Sequence, residues 1–126
     1  MDTSGIIAVT LNEPEKEAII EATVEAILYA PLSLHWEFGN ALTAMLKRHR
    51  IGTSQAAAAI WEYRGLPLSL VDVDVLQAVA LAETYNLYAY DAYMIVCAQN
   101  LGIPLLSLDR KLLDAAEAAG VGVVRV

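Results

Sequence analysis

Apolar residues along this chain fall into two kinds of run. Short, nearly continuous ones read as buried strands, and longer ones broken at helical spacing read as amphipathic helices. Residues 14–26 have the helical pattern, with Pro14 suited to a first turn and acids near the start. Ile27 to Ala30 is a short strand stopped by Pro31. Ser33 suits the N-cap of a helix reaching His49, and Gly52 ends it. Thr53 or Ser54 caps an Ala-rich helix ending near Gly65, so residues 33–65 form a helical hairpin. Pro67 to Val71 is the next strand, and Asp72 and Asp74 open a helix to Tyr85. Another helix runs from Tyr90 to Gly102. The strand Pro104–Leu108, the helix Arg110–Ala119 opened by Asp109, and the strand Val121–Val126 complete the chain. Strands alternating with helices in this way predict an α/β fold with a parallel sheet, whose ligands bind beyond the carboxyl ends of the strands.

The 126 residues suit one domain. The apolar fraction of 57% exceeds the usual value of about 45–50%, which points to an apolar patch that meets a protein partner. No run approaches the roughly 20 apolar residues that span a bilayer. No signal peptide is evident, and the single Cys97 fits a reducing compartment, so a cytoplasmic, non-membrane protein is expected. The net charge of −7 argues against broad non-specific DNA binding. Lys47-Arg48-His49-Arg50 is the one dense basic run and reads first as a helix C-terminus. His35 and His49 have no ligand spacing, and Cys97 reads as a core thiol. Trp36, Phe38, Trp61 and Tyr63 read as packing within the hairpin.

Four carboxylates stand out instead. Asp91 opens a helix and shares a face with Ile95 and Ala98, and Asp109 follows an apolar strand. Asp2 precedes the helix-like run Ile6–Leu11. Glu37 lies at the edge of the stripe formed by Leu34, Phe38, Ala41, Leu42 and Met45, and a partly buried Glu needs a partner. Asp2, Asp91 and Asp109 also suit helix caps, so local pattern leaves both readings open. Two carboxylates 4 Å apart repel by about 4 kcal/mol at an effective dielectric of 20. If the acids meet, they need a cation or shared protons. Mg²⁺ or Mn²⁺ would suit hard oxygen ligands and would support phosphodiester hydrolysis by making a bound water easier to deprotonate.

Asp2-Thr3-Ser4, Glu37 followed by Asn-Ala-Leu, Tyr90-Asp91-Ala92 and Leu-Gly-Ile-Pro-Leu-Leu-Ser-Leu-Asp109, in that order, resemble the PIN domain, closest to the VapC-type toxins of toxin–antitoxin pairs. The resemblance covers nearly the whole chain. It implies a three-layer α/β fold, a parallel sheet flanked by helices, and a Mg²⁺- or Mn²⁺-dependent ribonuclease. By motif position Asp2 and Asp91 would be the principal metal ligands, Glu37 and Asp109 would complete the catalytic pocket, and Ser4 and Ser107 would support the acids. It further implies an RNA substrate, a homodimer, and a cognate antitoxin lying along an apolar groove such as the hairpin could supply. One departure stands out: the family's first central strand ends at the first Asp, and only Met1 precedes Asp2, so that strand is missing here. Its loss would expose two strand edges, and it keeps open the alternative of a catalytically impaired or non-catalytic binding module. A phospho-acceptor receiver domain is disfavoured, because Glu37 lies inside a helix and Lys111 follows an Asp.

Overall fold

The computed structural model describes residues 1–126. Its helices are α1 (Thr3–Thr10), α2 (Lys16–Thr23), α3 (Leu34–Lys47), α4 (Thr53–Gly65), α5 (Val75–Tyr85), α6 (Ala89–Leu101) and α7 (Arg110–Ala118). Its strands are β1 (Leu28–Pro31), β2 (Leu68–Val71), β3 (Leu105–Leu106) and β4 (Val123–Val124). β1 pairs in parallel with β2, Leu28 opposite Leu68 and Pro31 opposite Val71. β3 pairs in parallel with β4, Leu105 opposite Val123. This is the expected α/β arrangement of parallel strands flanked by helices.

The two strand pairs form no common ladder. Only Met1 and Asp2 bridge them: the Met1 nitrogen donates to the Tyr29 carbonyl at 3.0 Å, and the Asp2 N–H donates to the Leu106 carbonyl at 3.1 Å. The gap between the two pairs is therefore spanned in the backbone hydrogen bonding by these two residues. An apolar cavity of about 190 Å³ opens along it, lined by Met1, Ile27, Tyr29, Leu106 and Val124 among others. Pro31 does not stop β1 but ends it from within, fully buried. The carbonyls of Tyr29 and Leu106 both face the gap, and the alternation of a strand aims Pro31 the same way, where its lack of an N–H costs no bond to β2.

α6 is buried over Ala92, Met94, Ile95, Val96, Cys97 and Ala98, and it packs against α5, β1 and β3. A helix apolar on most sides belongs inside the domain. α1 is likewise buried from Gly5 to Thr10 and packs against α2, α3 and α4. Gly5 lets the Met1 side chain pack close at its entry, since a Cβ there would meet Met1 Sδ at 2.8 Å and Leu106 Cδ2 at 3.4 Å. Ile6, Leu34, Phe38, Ile95 and Leu112 form the centre of the main core.

Several local expectations are corrected. Gly52 does not stop α3; Arg48 caps that helix and His49 turns the chain at φ 55°. Gly52 is instead the N-cap of α4, its N–H donating to Gln55 Oε1 at 2.9 Å, so Thr53 and Ser54 lie inside the helix. The last two strands are shorter than expected, because hydrogen bonding to a neighbour covers only two residues of each. Phe38 and Tyr63 do pack in the hairpin, stacked with centroids 4.4 Å apart. Trp36 and Trp61 do not: they are 70% and 78% exposed.

Candidate functional site

Asp2 is the best fixed of the four acids. It is the N-cap of α1, buried to 6% exposure, with Oδ1 accepting the Ser4 hydroxyl at 2.7 Å and the Gly5 N–H at 3.4 Å. The Ser4 oxygen also accepts the Leu108 N–H at 2.9 Å and lies 3.3 Å from the Ser107 oxygen. Ser107 Oγ in turn accepts the Asp109 N–H at 2.9 Å. The proton directions follow from this count. Ser4 has one hydrogen and gives it to Asp2, so Ser107 must be the donor to Ser4. The two hydroxyls thus form a chain, Ser107 to Ser4 to Asp2, that ties the start of α1 to the loop leading into α7.

Glu37 enters from the first turn of α3. Its two oxygens accept from Ser33 at 2.9 Å and from Thr3 at 3.4 Å. Ser33 occupies the N-cap position of α3 but makes no cap bond, because its backbone is helical and its hydroxyl turns to Glu37 one helical turn on. The sequence marks Ser33 only as a helix cap and Thr3 only as part of the Asp2-Thr3-Ser4 run, neither as a partner of Glu37. The spacing of four between Ser33 and Glu37 was the available signal. Asp91 lies in the first turn of α6, half-buried, with its helix holding the apolar face inward. Asp109 caps α7, its Oδ1 accepting the N–H groups of Lys111 at 3.0 Å and Leu112 at 3.3 Å.

Charge shows that the four acids share one region. Burial raises the Asp2 carboxyl above its ordinary value, against the pull of the Ser4 and Ser107 hydroxyls and the Gly5 N–H. Burial also raises Glu37; the Ser33 and Thr3 hydroxyls oppose this, and the charges of Asp2 and Asp91 add to it. Asp91 is raised by burial, then by Asp109 and Asp2, with Lys111 acting the other way. No salt bridge neutralises any of the four; those of this protein pair Lys16 with Glu62 and Arg125 with Asp114 and Glu117. Lys111 was likewise passed over as a site residue, although its place just after Asp109 puts it beside Asp91.

No three of the acids converge into a ready-made group of metal ligands. Their chemistry still suits a hard divalent cation. All donors are oxygens, the charges are like, offset only by the Met1 ammonium at Asp2 and Lys111 at Asp91 and by no salt bridge, and Mg²⁺ is commonly held through one or two carboxylates while it keeps several waters. Asp2 and Asp91, which feel each other's charge and leave oxygens free, are the pair such an ion would fit.

A PIN domain family model matches residues 1–118. Among characterised proteins, VapC ribonuclease Mb0985 of Mycobacterium bovis is 27% identical over 118 residues, 94% of this chain and 91% of that protein. Ribonuclease VapC9 of Mycobacterium tuberculosis is similar to the same extent, 27% over 118 residues. Among solved structures, PAE2754 from Pyrobaculum aerophilum has the same fold, with a TM-score of 0.72 at 20% identity over 98% of this chain and 81% of that one.

Proposed function

Because the chain belongs to the PIN domain family, we propose that it is a VapC-type endoribonuclease, the toxin of a toxin–antitoxin pair, acting with Mg²⁺ or Mn²⁺. The observation that carries this reading is the set of acids Asp2, Glu37 and Asp91, each raised by burial, Glu37 and Asp91 further by the charge of neighbouring acids, with no basic partner in a salt bridge. Similarity to proteins named VapC ribonucleases supplies the substrate class, RNA.

In this reading Asp2 and Asp91 hold the ion. When bound, it supplies Lewis acidity at the phosphate and lowers the pKa of a coordinated water. The remaining roles belong to the chain. Ser107 and Ser4 hold Asp2 Oδ1 through their hydroxyl chain, which leaves the second carboxylate oxygen without a protein hydrogen bond. Glu37 binds a proton more firmly than a surface glutamate and is the group suited to take one from the attacking water. Asp109 completes the pocket while it caps α7. The protein works in the cytoplasm as a homodimer and is neutralised by a cognate antitoxin; the exposed Trp36 and Trp61 on α3 and α4 provide an apolar surface for that partner. No helix is long and apolar enough to cross a membrane.

A second reading, a PIN-like binding module with impaired catalysis, is favoured by the lack of a converged three-acid group. Calorimetric titration of Mn²⁺ into the parent and Asp91→Asn, followed by an RNA cleavage assay, separates the two. The ribonuclease reading expects binding by the parent, loss of binding in the variant, and Mn²⁺-dependent cleavage by the parent only. A folded parent that binds no Mn²⁺ and leaves RNA intact sinks it.

A further inference from the structure

Beside Asp91 lies a cavity of about 320 Å³, lined by Asn86, Leu87, Tyr88, Asp91 and Lys111. Two of these residues sit where helix energetics disfavour them. Tyr88 is the N-cap of α6, yet it makes no side-chain cap bond and is 88% exposed. Asp2, Asp74 and Asp109 fill that position in α1, α5 and α7 and accept backbone N–H groups, as the type of residue favoured there should, whereas Glu15, Ser33 and Gly52 make no side-chain cap bond but are smaller or polar residues without an exposed ring. Lys111 lies in the first turn of α7, at the positive end of the helix dipole, where a cation is repelled. It forms no ion pair to offset this, although Asp91 feels its charge. Between them Asn86 is exposed in the left-handed conformation at φ 54°, with no hydrogen bond to its amide side chain. Asn86 caps the end of α5 through its backbone N–H, which leaves its amide side chain free; an aromatic residue, an amide and an ammonium group therefore line one polar recess, and none of the three side chains serves its own helix.

We propose that this recess is a nucleotide subsite next to the acids: Tyr88 stacks on a base of single-stranded RNA, Asn86 meets its edge, and Lys111 Nζ pairs with the adjoining phosphate. The size is at the small end of ligand clefts and suits one nucleotide. Stacking on aromatic rings and ion pairing with phosphate are the usual means of holding a single strand. The subsite rests on the ribonuclease reading, since the acids supply the reason for RNA to be there.

The test is fluorescence anisotropy of a labelled, mixed-sequence single-stranded RNA with Ca²⁺, across a KCl series, for the parent, Tyr88→Ser, Lys111→Gln and Lys111→Arg. Tyr88→Ser restores a favoured cap, so a purely structural Tyr88 predicts a higher Tm and unchanged RNA affinity. The subsite predicts affinity lower by about tenfold with Tm not reduced. Lys111→Gln should flatten the slope of log K against log salt by about 0.7, and Lys111→Arg should keep the parent slope. If the parent binds and cleaves RNA while Tyr88→Ser and Lys111→Gln bind within twofold of it at unchanged slope, the subsite is wrong and the ribonuclease reading stands. A parent that takes up Mn²⁺ but neither binds nor cleaves RNA overturns both.

Discussion

Neutralising Asp2 by Asp2→Asn should stabilise the metal-free protein at neutral pH while removing its response to metal. The structure sets the size of the effect. Asp2 is 6% exposed and has no basic partner in a salt bridge. The burial penalty for an ion is several kcal/mol, and the hydrogen bonds from Ser4 and Gly5 offset most of it at about 1.5–3 kcal/mol each for a charged acceptor. Asparagine keeps the acceptor at Oδ1 and removes the buried negative charge that adds to the repulsion on Glu37 and Asp91. The net gain is on the order of 1–2 kcal/mol, or about 4–8 °C in Tm for a domain of this size.

The pH dependence gives a second handle. Burial raises the folded pKa of Asp2 above its ordinary value of 3.8. The unfolded chain then releases this proton first, so the stability due to protonated Asp2 is complete below 3.8 and is lost as pH rises through the folded value. Glu37 and Asp91 are raised too and act in the same direction. Urea unfolding in EDTA at several pH values should therefore show the parent losing stability from mildly acidic to neutral pH, with a smaller loss in Asp2→Asn. Added Mn²⁺ should raise the Tm of the parent by mass action and leave the variant unmoved. A variant less stable than the parent in EDTA at neutral pH would refute the reasoning, because it would mean that the Asp2 carboxylate is a net stabilising group.

Two further substitutions probe the supports. Ser107→Ala leaves the Asp109 N–H without its acceptor and breaks the hydroxyl chain to Asp2; a loss of about 1–3 kcal/mol in urea unfolding is expected, with weaker Mn²⁺ binding by calorimetry, and unchanged Mn²⁺ affinity would show that the chain does not fix Asp2. Phe38→Ala removes a ring 2% exposed and stacked on Tyr63; a cost of about 3–5 kcal/mol is expected, and a value under 1 kcal/mol would show that α3 and α4 do not pack as described.

Much of the element order was legible because each helix after residue 66 carries its own punctuation. Asp74 and Asp109 cap α5 and α7, and Gly102 in the left-handed conformation ends α6. Around residue 50 the signals misled, since Gly suits both the end of one helix and the N-cap of the next, and only the Gln55 side chain decides for the latter. The exposure of Trp36 and Trp61 was not legible either, because a wide apolar stripe does not say which of its residues face a neighbour. At the site, the partly buried character of Glu37 could be read from helical phase, but its donors could not. Thr3 comes from a separate element, and Ser33 looked like a cap until its backbone proved helical. Lys111 was hard to see because its position two residues after Asp109 does not say what it faces: only the fold sets it across a shared recess from Asp91.

The split sheet raises the question of what holds Asp2 in place. In a continuous sheet a long ladder would fix an acid at a strand end. Here the ladder is reduced to two bonds, from the nitrogens of Met1 and Asp2. The other restraints come from α1 and the β3–α7 loop: the Gly5 N–H on Oδ1, the Ser4 hydroxyl, the Leu108 N–H on Ser4, and the close approach that Gly5 allows against Met1 and Leu106. Position is thus set by a knot of local contacts. These contacts also span the gap, with Tyr29 on one side and Leu106 on the other. Anything that draws Asp2 toward Asp91 on α6, as a shared cation would, pulls on both strand pairs at once. Repulsion among the acids loosens the same knot. Ion binding and closure of the sheet are therefore coupled through Asp2, and the metal response of stability should be carried by α1 and the two residues before it more than by the α3–α4 hairpin.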